Sequence, residues 1–193
     1  MFHSAKSKLE DALVNLDAMR AARDAVNFKA AFNSFLSNCR SVTYALQKEG
    51  AKVHGFEAWY GPKQAEMKAD ELLRFIHESR TEDFHEGAHR LRFATHIRSL
   101  SSEAVGPPPH PEASLIIGAE GPFWLVHQGT SKERRIPITA GSNHVIQIAV
   151  ENPPKMHRGQ AIAEANPVSL CSAALDYMGE LIHEARSNFE KSA

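Results

Sequence analysis

Cysteine is scarce: Cys39 and Cys171 are the only two in 193 residues. Both fall in apolar helical patterns and read as reduced, buried thiols of a cytosolic protein, the alternative being a structural disulfide. Long hydrophobic runs are missing too. No stretch approaches the roughly 18 apolar residues of a membrane span, and the first residues lack the apolar centre of a signal peptide. The expectation is a cytoplasmic chain with no membrane partner.

A surplus of positive charge is likewise absent. Lys and Arg number 22 against 23 Asp and Glu, a formal net charge of -1. That balance argues against nonspecific binding to long duplexes but leaves room for a local phosphate site. Neither a Walker sequence nor Gly-x-Gly-x-x-Gly occurs, and there is no Gly-x-Ser-x-Gly elbow. These absences remove P-loop, dinucleotide-binding and serine-hydrolase chemistry, and no cofactor is expected.

What is present is helical periodicity at both ends of the chain. Residues 4–25 repeat Leu9, Ala12, Leu13, Leu16 and Met19, with Ser7 and Glu10 as a capping box unless the helix starts a turn earlier. Asn27 is placed to cap a second helix carrying Phe28, Ala31, Phe32, Phe35, Cys39, Val42 and Leu46. Pro62 suits the first turn of a third helix through Met67, Leu72, Phe75, Ile76 and Phe84, which Gly87 interrupts or ends. A shorter helical piece is expected over 88–100. Asn166 and Pro167 open a last helix with the stripe Leu170, Cys171, Ala174, Leu175, Met178, Leu181, Ile182, Ala185 and Phe189.

Between these helices the texture changes. Residues 106–111, with four prolines, form a stiff connector. Runs of β type follow at 115–117, 123–127, 135–138 and 144–150, separated by glycines, and predict a four-strand antiparallel meander. Pro137 places the third run on an edge. The fold class predicted is α+β: a helical bundle over 1–105 plus 160–193, with a small antiparallel β insertion at 106–159, before the last helix.

The segment from Arg80 to His85 pairs a planar cation with a titratable imidazole, a combination suited to cleaving an RNA phosphodiester without a metal. Residues five apart on a helix are about 140° apart around its axis, so the two heads meet only through a distortion near Gly87 or across a dimer. His77, Thr81 and His85 form a straighter line. Residues 77–96 also hold four of the chain's 11 histidines. Glu78, Glu82, Asp83 and Glu86 favour the plainer alternative, a solvated face with ordinary helix ion pairs.

Arg80, Thr81, His85 and Gly87, with the run 32–42 and the segment 56–60, resemble the HEPN superfamily over residues 5–100. The resemblance implies a HEPN-like helical bundle acting as a homodimer, often a metal-independent ribonuclease in toxin–antitoxin or defence systems. It implies His85 as general acid or base, Arg80 on the phosphate and Thr81 orienting it, with RNA as substrate. The family's polar residue after the arginine is commonly Asn, Asp or His, where this chain has Thr81. Arg90 and His96 offer a second match to the spacing. No metal is expected, although His85 and His89 have ligand spacing. Lys132 to Arg135 reads as a solvated loop, Trp59, Tyr60, Phe123 and Trp124 as packing aromatics, and 156–160 as a polar loop without assigned chemistry. The alternative function is a noncatalytic homodimeric module whose β insertion recruits a protein partner.

Overall fold

The protein is described from a computed structural model covering the chain except residues 87–89, 100–104, 120, 139–142 and 191–193, and except the side chains of 82–86, 95–99 and 143–146. Helix α1, His3–Ala21, and helix α2, Ala25–Gly50, form an antiparallel hairpin. Asp24 is extended, and its carboxylate accepts the backbone N–H of Asn27 at 2.8 Å. The cap of α2 is therefore Asp24 rather than Asn27, because a carboxylate at the last extended residue reaches the free N–H three positions on. At the other end of the hairpin Glu49 accepts from the N–H groups of Ser4 (2.9 Å) and Ala5 (3.4 Å). The last turn of α2 thus caps the first turn of α1. The start at His3 is the earlier of the two considered, and Ser7 lies inside the helix.

The expected third helix is two helices. Helix α3 spans Phe56–Ala69 and helix α4 spans Glu71–Glu86, with Asp70 extended between them (φ −72°, ψ 128°). Pro62 lies inside α3 rather than at its first turn. There it removes one hydrogen bond from the helix, and α3 is anchored by buried Phe56 and Tyr60 instead. Gly50 closes the approach to α3: a Cβ on it would sit 2.3 Å from the Phe56 ring. The expectation for Gly87 lies outside the described residues.

Helix α5, Pro167–Phe189, begins as the sequence suggests. Asn166 accepts the N–H of Ser169 at 2.9 Å, and Pro167 occupies the first turn. Its stripe from Leu170 to Ala185, all but the partly buried Leu175, is buried with Phe35, Leu36, Cys39, Val42 and Leu46 of α2 and Leu16 of α1 in one core. Phe2, Phe56, Trp59, Tyr60 and Phe189 close one end with ring contacts of 5.2–6.1 Å. Cys39 and Cys171 are free, buried thiols, as expected.

The segment expected to be helical at 88–100 contains strand β1, Leu91–Ser99, which pairs antiparallel with β5, Asn143–Val150. Leu91 pairs with Val150, and both are buried in the helical core. Leu91, Phe93, Thr95 and Ile97 recur at every second position, the period of a strand, whereas a helix would scatter them around its axis. The meander is correspondingly smaller. Strands β2 (Ser114–Gly118), β3 (Gly121–Val126) and β4 (Arg134–Pro137) form a three-stranded antiparallel sheet in that order, with Pro137 on an edge as expected. The fourth run is β5 and belongs to the β1 ribbon. Strands β6 (Met156–His157) and β7 (Gln160–Ala161) make a short hairpin. The class is α+β, with five helices and small antiparallel sheets among the described residues.

The β6–β7 hairpin is held by the break between α3 and α4. Asp70 accepts from Leu73 N (3.0 Å), Arg158 N (2.7 Å) and His157 Nδ1 (3.0 Å), while Glu71 accepts from Lys155 N (2.9 Å) and Met156 N (3.2 Å). Burial alone would raise the Asp70 pKa, but the N–H groups of Arg158 and Leu73 and the His157 ring together carry it below the ordinary carboxylate value. Asp70→Ala should lower stability by about 2–4 kcal/mol, as loss of a cap plus charge-assisted bonds. Because the folded pKa is depressed, this contribution is complete above about pH 3.9 and fades as the pH falls through the folded value. Urea melts of wild type and Asp70→Asn should therefore draw together as the pH falls below about 4. A constant difference across that range would contradict the assignment.

Candidate functional site

An open cleft of about 530 Å³ lies between α2, α3 and α4. That volume is within the range of small-molecule sites, roughly 300–1,000 Å³. Its α2 wall is Ser37, Arg40, Ser41, Tyr44 and Gln47, one face at helical spacing, opposite the stripe that fills the core. Helix α4 supplies Arg74, His77, Glu78 and Arg80, and α3 supplies Gln64 and Lys68. Leu36, Cys39, Leu73, Ile76 and Met178 form an apolar floor. Arg40, Lys68, Arg74 and Arg80 thus surround one space, against the carboxylate of Glu78. Glu78 is shared between Arg74 (3.8 Å) and Arg90 (3.4 Å). Tyr44 stands on the rim and is 67% exposed.

Arg40 donates a short hydrogen bond to Nε2 of His77. An arginine has no lone pair to offer, so Nε2 must be the acceptor and His77 is a neutral imidazole. Burial lowers the His77 pKa first, and the charge of Arg40 lowers it further, with Arg80 adding to the effect and Glu78 opposing it. At the floor, burial pushes the Cys39 thiol up to about 12, and in the core behind it burial raises the Cys171 thiol well above its usual value. Neither sulfur is a nucleophile at neutral pH.

Of the site residues expected from sequence, Arg80 lines the cleft and is half-buried. Thr81 is half-buried, and its hydroxyl donates to the His77 carbonyl at 3.1 Å. The His85 side chain, all of His89 and the His96 side chain lie outside the described residues. Arg90 packs over the Phe75 ring at 5.2 Å and precedes the strand that holds His96, so the second Arg–His spacing is not a helical motif. Arg135, read as part of a solvated loop, stacks 5.0 Å over Phe123. Arg40 and Tyr44 were missed, although Ser37, Arg40, Ser41, Tyr44 and Gln47 repeat at three and four residues. Also missed were Asp70 with His157, and a group of His110, Glu112 and His127 whose ligand atoms lie within 4.8 Å of one another. No helix among the described residues is long and apolar enough to cross a membrane.

The architecture is that of an α+β chain with a cation-lined interhelical cleft. It belongs to the family of the bacteriophage lambda protein ea47, whose model matches residues 7–148, from α1 into β5. No curated protein and no solved structure matches the chain. The match overturns the resemblance to the HEPN superfamily, and with it the family grounds for catalysis by Arg80, Thr81 and His85.

The Arg40 contact makes His77 a reporter of the cleft. In wild type its ring should titrate below the ordinary histidine value of about 6.5 in an NMR pH series. Arg40→Ala should raise that value, because it removes a neighbouring positive charge. An unchanged titration would show that the Arg40 field does not reach the ring.

Proposed function

We propose that the protein binds single-stranded RNA in the cleft between α2, α3 and α4. The observation that carries this reading is the convergence of Arg40, Lys68, Arg74 and Arg80 on one space with an exposed Tyr44 at its edge. Arginine forks match phosphate oxygens, and an exposed aromatic ring offers a face for an unstacked base. A local site of this kind is compatible with a chain whose net charge is only -1. The reading stops at binding. His77 Nε2 is engaged by Arg40 and the Thr81 hydroxyl by a backbone carbonyl, so neither is set to move a proton. The free, buried thiols support placing the protein in the reducing cytoplasm.

Fluorescence anisotropy with labelled decauridylate tests the reading. Wild type should bind with a strong salt dependence, and Arg40→Ala, Arg80→Ala and Tyr44→Ala should each weaken binding about tenfold or more. Absence of binding at low salt, or equal affinity of all four proteins, would overturn it.

A second reading, an interaction module, has its own observation. Strand β2 is an edge of its sheet and leaves Leu115 39% and Ile117 60% exposed on one face. Such an edge can accept a further strand from a second copy of the chain. Under this reading wild type sediments as a dimer and Ile117→Lys as a monomer. A monomeric wild type at tens of micromolar counts against it.

A further inference from the structure

We infer that His110, Glu112 and His127 form a binding site for one Zn²⁺ ion, at the open end of the β2–β3 hairpin and apart from the cleft. Two imidazoles and one carboxylate make a donor set that suits zinc, with water completing the coordination. Strand register brings them together. Ser114 pairs with Leu125, and continuing that antiparallel register two residues outward sets Glu112 against His127. His110 stands two residues before Glu112, where the proline-rich connector turns into β2. Its ring lies 4.6 Å from that of His127, centroid to centroid.

The backbone under both histidines is fixed before any ion arrives. The His110 carbonyl accepts the N–H of Ala113 at 2.9 Å, so His110 opens a closed turn. The His127 carbonyl accepts both the N–H of Thr130 (3.2 Å) and its hydroxyl (2.8 Å). His127 itself is held at φ 54°, in the left-handed region that side chains other than glycine seldom occupy. That strained conformation recurs at sites where a side chain must be aimed.

The ligand atoms are near one another but not yet closed on an ion. They lie within 4.8 Å of one another, whereas two zinc ligands at about 2.0–2.1 Å from the metal stand no more than about 4 Å apart. The required contraction is small, and exposed Glu112 is free to supply much of it by side-chain rotation. The N–H of Glu112 meets Nδ1 of His110 at 3.2 Å, so coordination through that nitrogen displaces one long hydrogen bond. Both histidines are half-buried and the glutamate is exposed, an arrangement that leaves one side open to water. Bound zinc would tie the connector at 106–111 to the end of β3.

The test is titration of the full chain, free of metal, with Zn²⁺ alone, followed by calorimetry and by NMR of the histidine rings. Wild type should take up one equivalent with micromolar or tighter affinity, and the His110 and His127 rings should shift together and saturate at that equivalent. His127→Asn retains a residue that tolerates positive φ, and with Glu112→Gln it should weaken binding at least tenfold while leaving decauridylate binding unchanged. Shifts spread over other histidines without saturation, or wild-type zinc affinity in both variants, would overturn the site. Because the wild-type ring signals locate the ion without any substitution, a variant that misfolds does not obscure the result.

Discussion

A single carboxylate, Asp70, ties together three parts of the chain that are far apart in sequence. It ends α3, caps α4 and holds the β6–β7 hairpin that leads to α5. Its side chain is only 7% exposed, so each lone pair must find a donor, and the donors come from α4 and the hairpin. A buried carboxylate satisfied in this way is strongly tied to one arrangement of its neighbours, since losing any partner leaves charge without compensation. Glu49 plays a related part at the start of α1, where burial works against its ionised form and the Ser4 and Ala5 N–H groups lower its pKa overall.

The break at Asp70 also governs where the cleft can form. On an uninterrupted helix Leu72 would sit about 120° around the axis from Tyr60, at 100° per residue. The two residues could not then be buried on one stripe. Resetting the helix at Asp70 lets α3 bury Phe56 and Tyr60 while α4 buries Leu72, Phe75 and Ile76. Once that face of α4 is buried, Arg74, His77 and Arg80 border the space facing the polar side of α2. The basic lining is therefore a consequence of how the core is divided, and it needs no excess of positive charge in the chain as a whole.

Much of this is legible in the residues. The stripes of α1, α2 and α5 repeat over several turns, and Asn166 followed by Pro167 marks a start that tertiary contacts do not override. The three strands β2 to β4 pair with their neighbours in sequence, so glycine-separated β runs suffice to find them. Strand β1 was misread because its partner β5 lies about fifty residues away and nothing local announces the pairing. Asp70 had a signal that went unread: an acidic cap, an acidic first turn at Glu71, and the change of stripe phase. The cleft was half legible. Arg80 was singled out for its distance in sequence from His85, whereas the cleft it lines has its other walls on α2 and α3, and a search for motifs along one helix cannot find them. Resemblance misled on family, since a loose Arg–His spacing on helices is not specific enough to outweigh a match over residues 7–148.

The cleft and the hairpin make separable claims, and the cleft is the central one. Its most direct measurement is an NMR titration of the arginine Nε–H signals with a short single-stranded RNA such as tetrauridylate. The signals of Arg40, Arg74 and Arg80 should move together and saturate, with those of Arg134 and Arg158 unchanged. Movement confined to Arg134 and Arg135 of the β2–β4 sheet, or no saturable change at any arginine, would contradict the account.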